Sequence, residues 1–125
     1  MSLPIVYHPD YMAPLRTGHR FPMSKYGNLR AHLVRQGLLP ETGGYLAPAP
    51  ASLSQVAAAQ GCDYADRAFR LSLTAAEVRE IGLPQSEAVL RRARLASAGT
   101  ALAARLALEH GVAVNLAGGS HHAGP

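Results

Sequence analysis

The stretch from Gly82 to Leu116 constrains this chain most, because its start, length and stop are all written locally. Gly82-Leu83-Pro84 breaks the backbone, and Ser86 then offers a side-chain oxygen to the free amides of a first helical turn. Apolar residues at Val89, Leu90, Ala93, Leu102 and Leu106 predict one long helix from about Glu87 to His110. Gly99 interrupts it at a cost of about 1 kcal/mol relative to alanine, which implies close packing at that point. His110 lies in the last turn, where a cation suits the carbonyl end, and Gly111 is a suitable cap. Val112 to Leu116 then reads as a short strand, apolar on both faces, of the kind found inside a parallel sheet. Helix, glycine and apolar strand make half of a βαβ unit.

The rest of the chain is punctuated almost as clearly. Leu3 to Tyr7 is rich in strand formers and predicts a buried strand. His8-Pro9-Asp10-Tyr11 turns the chain, since Pro9 lacks a donor and restrains His8. A loop over Met12 to Phe21 precedes a helix expected from Pro22 through Leu38, with Tyr26, Leu29 and Leu33 at helical spacing. Pro40 to Ser54 has no strong periodicity. Short helices are expected over Leu53 to Ala59 and Tyr64 to Leu71. Thr74-Ala-Ala-Glu77 is a capping box opening another that stops at Gly82. The resulting fold class is α/β, mostly helical in this chain, with two or so strands at its ends. A parallel sheet needs more than two, so residues 1–125 read as one portion of a larger α/β domain.

Composition excludes several classes. Hydrophobic residues make up 48%, which is not a disordered composition, and with no Trp and two Phe the core must be largely aliphatic. The net charge of +4 comes from eleven Arg and one Lys against eight acidic residues. Arg91, Arg92 and Arg94 share one helical turn and could meet phosphates, but a solvated helix face is the expected reading, and no specific nucleic acid is implied. Cys62 is the lone cysteine, expected to be a small buried hydrophobe in a reducing compartment. The first eleven residues have no signal-peptide pattern. The apolar stretch Ala93 to Leu108 carries Arg94 and Arg105, so no membrane span is expected and a cytoplasmic location is the default.

The chemistry-bearing segment is Ala117-Gly-Gly-Ser-His-His-Ala-Gly-Pro125, directly after the second strand. Ligand sites of open α/β sheets lie at the carboxyl ends of strands. Two adjacent imidazoles there, His121 and His122, can divide labour between proton transfer and charge stabilisation. Neighbouring histidines rarely share one metal ion, so the pair does not itself suggest a metal site. The glycines, Gly119 among them, let the backbone come close to a substrate. A loose tail would carry the same residues.

Asn115-Leu-Ala-Gly-Gly-Ser-His-His-Ala is similar to the histidine-pair signature of the histone-deacetylase superfamily, which includes bacterial acetylpolyamine amidohydrolases. Ser97 to Asn115, the turn Ile81-Gly-Leu-Pro, and the stretches Val6 to Tyr11 and His19 to Tyr26 resemble the bacterial and class IV-like members as well. The resemblance implies an arginase-like parallel α/β fold and zinc-dependent hydrolysis of an N-acetylated amine, either acetyl-lysine or an acetylpolyamine. It implies that His122 is the principal acid and base, that His121 stabilises developing charge, and that Arg20 meets the acetate product. The family's zinc ligands, two aspartates and a histidine, follow the pair, so no metal ligand is expected within residues 1–125 and zinc belongs to the complete enzyme. Where many members carry a His-Asp pair, this chain holds Gln60 and Gly61, which removes the rim acid. The chain is thus expected to be the N-terminal portion of a deacetylase domain, with little or no activity alone and a tendency to self-associate. The alternative is a non-enzymatic protein that self-associates through its incomplete sheet.

Overall fold

The computed structural model describes residues 3–118. In chain order the elements are β1 (Ile5–Val6), a 3-10 turn (Pro9–Tyr11), α1 (Lys25–Arg35), α2 (Leu53–Gln60), α3 (Cys62–Phe69), α4 (Ala75–Ile81), α5 (Glu87–His110) and β2 (Val114–Asn115). Local chemistry explains most boundaries. Ser86 Oγ accepts from the Val89 amide at 3.1 Å and starts α5. Thr74 and Glu77 close a reciprocal capping box on α4, which ends at Gly82 with φ +79°. Ser52 and Gln55 do the same for α2. α1 is shorter than expected because Pro22 to Ser24 form the entry turn and the helix ends at Arg35, with Gly37 at φ +74° just beyond.

The end of α3 departs from the usual pattern. Ser72 donates its amide back to the Arg67 carbonyl at 2.8 Å, and Leu71 donates to Ala68 at 3.1 Å. This closure places Leu71 at φ +57°, in the left-handed region that glycine normally occupies. A side chain there costs roughly 1–2 kcal/mol.

β1 and β2 pair in parallel, Ile5 opposite Val114 and Val6 opposite Asn115. Leu46 bridges the other edge of β1: Tyr7 donates to its carbonyl at 3.0 Å, and its own amide donates to Ile5 at 2.8 Å. α5 packs across β1, β2 and the 3-10 turn. Val6, Tyr11, Leu95 and Ala117 are sealed from solvent at the centre. Tyr7 packs edge-on against Tyr11 and Tyr45.

The architecture corrects the expected fold class. Among the described residues it is a small helical domain of five helices with a single two-stranded parallel sheet, not a parallel α/β fold of the arginase kind. The reason is visible at β2. The apolar run Val112 to Leu116 pairs only along one edge and only at two residues, and Val112 is 57% exposed, not buried between layers. Within α5 the buried stripe is Val89, Arg92, Leu95, Ala96, Gly99 and Ala103, so Ala93 faces solvent and an arginine enters the core. Cys62 is exposed at the start of α3, not buried. Among the described residues no helix is long and apolar enough to cross a membrane.

Candidate functional site

β2 carries the chain from α5 toward the glycine- and histidine-rich segment, and its second residue, Asn115, is held by contacts from three parts of the sequence. Tyr11, at the end of the 3-10 turn, has no exposed surface, and its hydroxyl donates to Asn115 Oδ1 at 2.8 Å. Asn115 Nδ2 donates to the Ala117 carbonyl at 3.0 Å, to the Ala96 carbonyl at 3.3 Å and to Thr100 Oγ1 at 3.2 Å. The Ala117 amide donates back to Asn115 Oδ1 at 3.3 Å. The asparagine side chain therefore ties the turn after β2 to the flank of α5.

Gly99 makes this meeting possible. A Cβ built there overlaps the Tyr11 hydroxyl and lies 3.0 Å from the Asn115 amide group. The close packing that a glycine in mid-helix implies is thus against a tyrosine hydroxyl, not against another backbone.

Arg92 supports the same locus from two turns earlier. It is 7% exposed, and its Nε donates to the Tyr11 carbonyl at 3.2 Å. Its guanidinium lies 4.7 Å from the centre of the Tyr26 ring, in the range of a cation–π contact. Among the described residues one terminal nitrogen of Arg92 has no hydrogen-bond partner. Burial pushes the Tyr11 phenol up to about 12, with the Arg92 charge and the Asn115 hydrogen bond opposing the rise. Burial likewise raises Tyr7. Tyr11 is thus a neutral donor at any physiological pH.

The arginine trio of α5 is a solvated face only at Arg91, which is 47% exposed. Arg91 pairs with Asp10 at 2.9 Å, Arg92 is buried, and Arg94 donates to the Ala51 carbonyl at 2.7 Å while lying over the Phe69 ring. All three guanidinium groups are engaged within the fold, which leaves no free phosphate-binding cluster on that turn.

The sequence-derived site residues divide by position. His121, His122 and Gly119 lie outside the described residues. Arg20 is exposed, and among the described residues no hydrogen bond joins it to the Tyr11–Asn115 network. His19 accepts from the Phe21 amide at 3.1 Å and His8 from the Asp10 amide at 2.9 Å, so both serve local turns. His32 is exposed on α1, and His110 sits 3.7 Å from Glu109. Among the described residues no group of three histidine, cysteine, aspartate or glutamate side chains could hold a metal ion. The described residues do not supply a zinc centre. An open groove of about 530 Å³ runs between residues 47–51, α2 and α5, and it includes Gln60 and Arg105 but neither Arg20 nor Asn115.

The sequence places Tyr11 in a turn and does not reveal its bond to Asn115. The available signal was the coincidence of a buried tyrosine, a glycine inside a long helix and an asparagine inside an apolar strand.

No family model matches this chain. Aligned over all of its 125 residues, it is 42% identical to an uncharacterized protein of the cyanobacterium Picosynechococcus sp., and it spans 41% of that relative's length.

Proposed function

We propose that this chain is the N-terminal portion of an amidohydrolase that removes acetyl groups from N-acetylated amines, with His121 and His122 as its acid–base pair. The observation that carries the reading is the junction of Tyr11, Gly99 and Asn115. The stretches Val6 to Tyr11, Ser97 to Asn115 and Asn115 to Ala123 each resemble the deacetylase family separately, and their described parts meet at one partly buried hydrogen bond. A chance likeness at scattered positions has no reason to converge on one contact. The reading rests on these side chains and not on the arginase-like architecture, which the fold excludes.

In this scheme His122 accepts a proton from the attacking water as the amide carbonyl becomes tetrahedral. It returns that proton to the nitrogen as the C–N bond breaks, releasing acetate and the free amine. His121, kept as a cation or donor, offsets the negative charge that develops on the carbonyl oxygen. The zinc of such an enzyme would polarise that carbonyl and the water, and its ligands lie outside the described residues. Acetyl-lysine and acetylated polyamines are the two substrate classes. The direct test is acetate release from both by the Picosynechococcus relative carrying these 125 residues in place of its matched stretch, with and without His122→Ala. Turnover that collapses in the variant supports the scheme, and turnover that persists removes it.

A second reading has its own support. Among the described residues β2 is paired along one edge only, and Leu108 and Val112, which precede it in the chain, are 90% and 57% exposed. Unpaired strand edges with apolar neighbours recruit other chains, so a non-enzymatic protein that self-associates there is the alternative.

A further inference from the structure

We propose that the pocket between α3, α4 and the first turns of α5 binds a small monocarboxylate whose apolar body is about the size of a phenyl ring, with Arg92 taking the carboxylate. The site is independent of the functional reading above. The pocket has a volume of about 140 Å³, close to the roughly 150 Å³ of an apolar cavity that accommodates benzene. Most of its walls are aliphatic: Ala68 on α3 and Leu71 just after it, Leu73 and Val78 at α4, Leu83 beyond it, and Leu90 on α5. Two polar groups of the lining are already used. Gln85 accepts from the Leu73 amide at 2.7 Å and donates to the Leu73 carbonyl at 3.3 Å, and Ser86 Oγ accepts from the Val89 amide. Among the described residues, Arg92 is the one charged side chain in the lining.

That charge has no counterpart within the fold. Arg92 is 7% exposed, and among the described residues none of the ion pairs includes it. Its Nε is taken by the Tyr11 carbonyl and the face of its guanidinium by the Tyr26 ring, both neutral groups. A terminal nitrogen is left without a partner and closed off from solvent. A buried cation is costly unless an anion answers it, and a carboxylate matches the remaining guanidinium donors in charge and geometry. A bare inorganic anion would leave the aliphatic walls unfilled, and a neutral hydrocarbon would leave the charge unanswered. A carboxylate on a small apolar body meets both demands. Leu71 gives an independent sign. It lines the same pocket at φ +57°, and backbone held in such a region concentrates at ligand clamps. The turn that carries it is the wall that yields as the ligand reaches the enclosed nitrogen.

Calorimetric and NMR titration of the 125-residue chain with benzoate tests the proposal. Benzoate should bind saturably and shift the amides of Leu71, Leu73 and Leu90. Benzyl alcohol has the ring without the charge, and acetate has the charge without the ring. Each should bind at least about tenfold more weakly than benzoate. Ala68→Phe fills the pocket from α3, leaves Arg92 in place and should abolish benzoate binding. Arg92→Met keeps the bulk, removes the charge, and should weaken benzoate about tenfold while leaving benzyl alcohol unchanged. Should either variant fail to fold, the wild-type comparison of benzoate with benzyl alcohol, read with the amide shifts, decides. The proposal is overturned if benzoate does not saturate the chain, if benzyl alcohol binds as tightly, or if benzoate binding survives folded Ala68→Phe.

Discussion

Replacing Gly99 by alanine should destabilise the protein, although helix propensity alone says the reverse. Alanine in place of glycine in a helix interior contributes about 1 kcal/mol of stability. Against this, the new Cβ overlaps the Tyr11 hydroxyl and sits 3.0 Å from the Asn115 amide group. Tyr11 is fully buried, so the ring has nowhere to swing without disturbing Tyr7, which packs edge-on against it. Overpacking of this kind typically costs 1–3 kcal/mol. If the ring yields instead, the Tyr11–Asn115 bond breaks and leaves a buried hydroxyl unsatisfied, at about 1–3 kcal/mol. The net expectation is a loss of about 0–2 kcal/mol in urea unfolding at neutral pH. The double variant Tyr11→Phe with Gly99→Ala isolates the cause. With the hydroxyl gone, the added methyl meets no oxygen, and the Gly99→Ala step should be close to neutral or stabilising. The coupling between the two positions should therefore be about 1–3 kcal/mol. A Gly99→Ala protein more stable than the wild type, or an equal effect of Gly99→Ala in both backgrounds, would refute the argument.

Other outcomes follow from the same contacts. Because burial raises Tyr11 to about 12 from an ordinary 10.0, its contribution is complete below pH 10 and is lost as pH rises from 10 toward 12; Tyr11→Phe should flatten that limb in denaturation midpoints taken from pH 9 to 12. Glu77 behaves oppositely. Its hydrogen bonds to Arg67, then to the Thr74 amide, hold it down to about 2, so its contribution is present above pH 4.5 and lost as pH falls toward 2; Glu77→Gln should remove that dependence. Thr74→Ala, which deletes the cap of α4, should cost about 0.5–2 kcal/mol in the same assay. Val112→Lys places a charge beside the open edge of β2 and should lower any self-association seen by sedimentation; an unchanged profile would place the contact elsewhere.

What could be read from the sequence was what neighbouring residues decide among themselves. Thr74 with Glu77, Ser86, Gly82 and Gly111 set the ends of α4 and α5 within a few residues of chain, and both helices stand where those signals put them. The Ser52–Gln55 box at the start of α2 emerges only in the structure. Leu71 was not legible, because its positive φ is imposed by the backbone closure behind α3 and not by its own preference. Nor was the Leu46 bridge, a single residue whose place is set by β1 across forty positions. The strand over Val112 to Leu116 was overestimated for a related reason. Apolar residues promise burial only if a neighbour arrives, and among the described residues β1 alone pairs with Val114 and Asn115. At the candidate site, Gly99 announced a close approach, but the partner is a side chain 88 positions earlier in the numbering, Tyr11, and no local pattern encodes that distance. Arg92 misled in the opposite direction. Three arginines on one turn suggest a wet surface, and the middle one is buried beneath Tyr26 because an aromatic face and the Tyr11 carbonyl receive it.

The central claim is that His122 moves a proton during hydrolysis of an acetylated amine. The measurement that tests it most directly is the pH profile of acetate release by the Picosynechococcus relative bearing these 125 residues, compared with the same protein carrying His122→Ala. The expected result is turnover that depends on a group titrating near neutrality and falls roughly 10²–10⁴-fold in the variant, with the melting temperature unchanged. Equal turnover in the two proteins, or none in either while both remain folded, would contradict it.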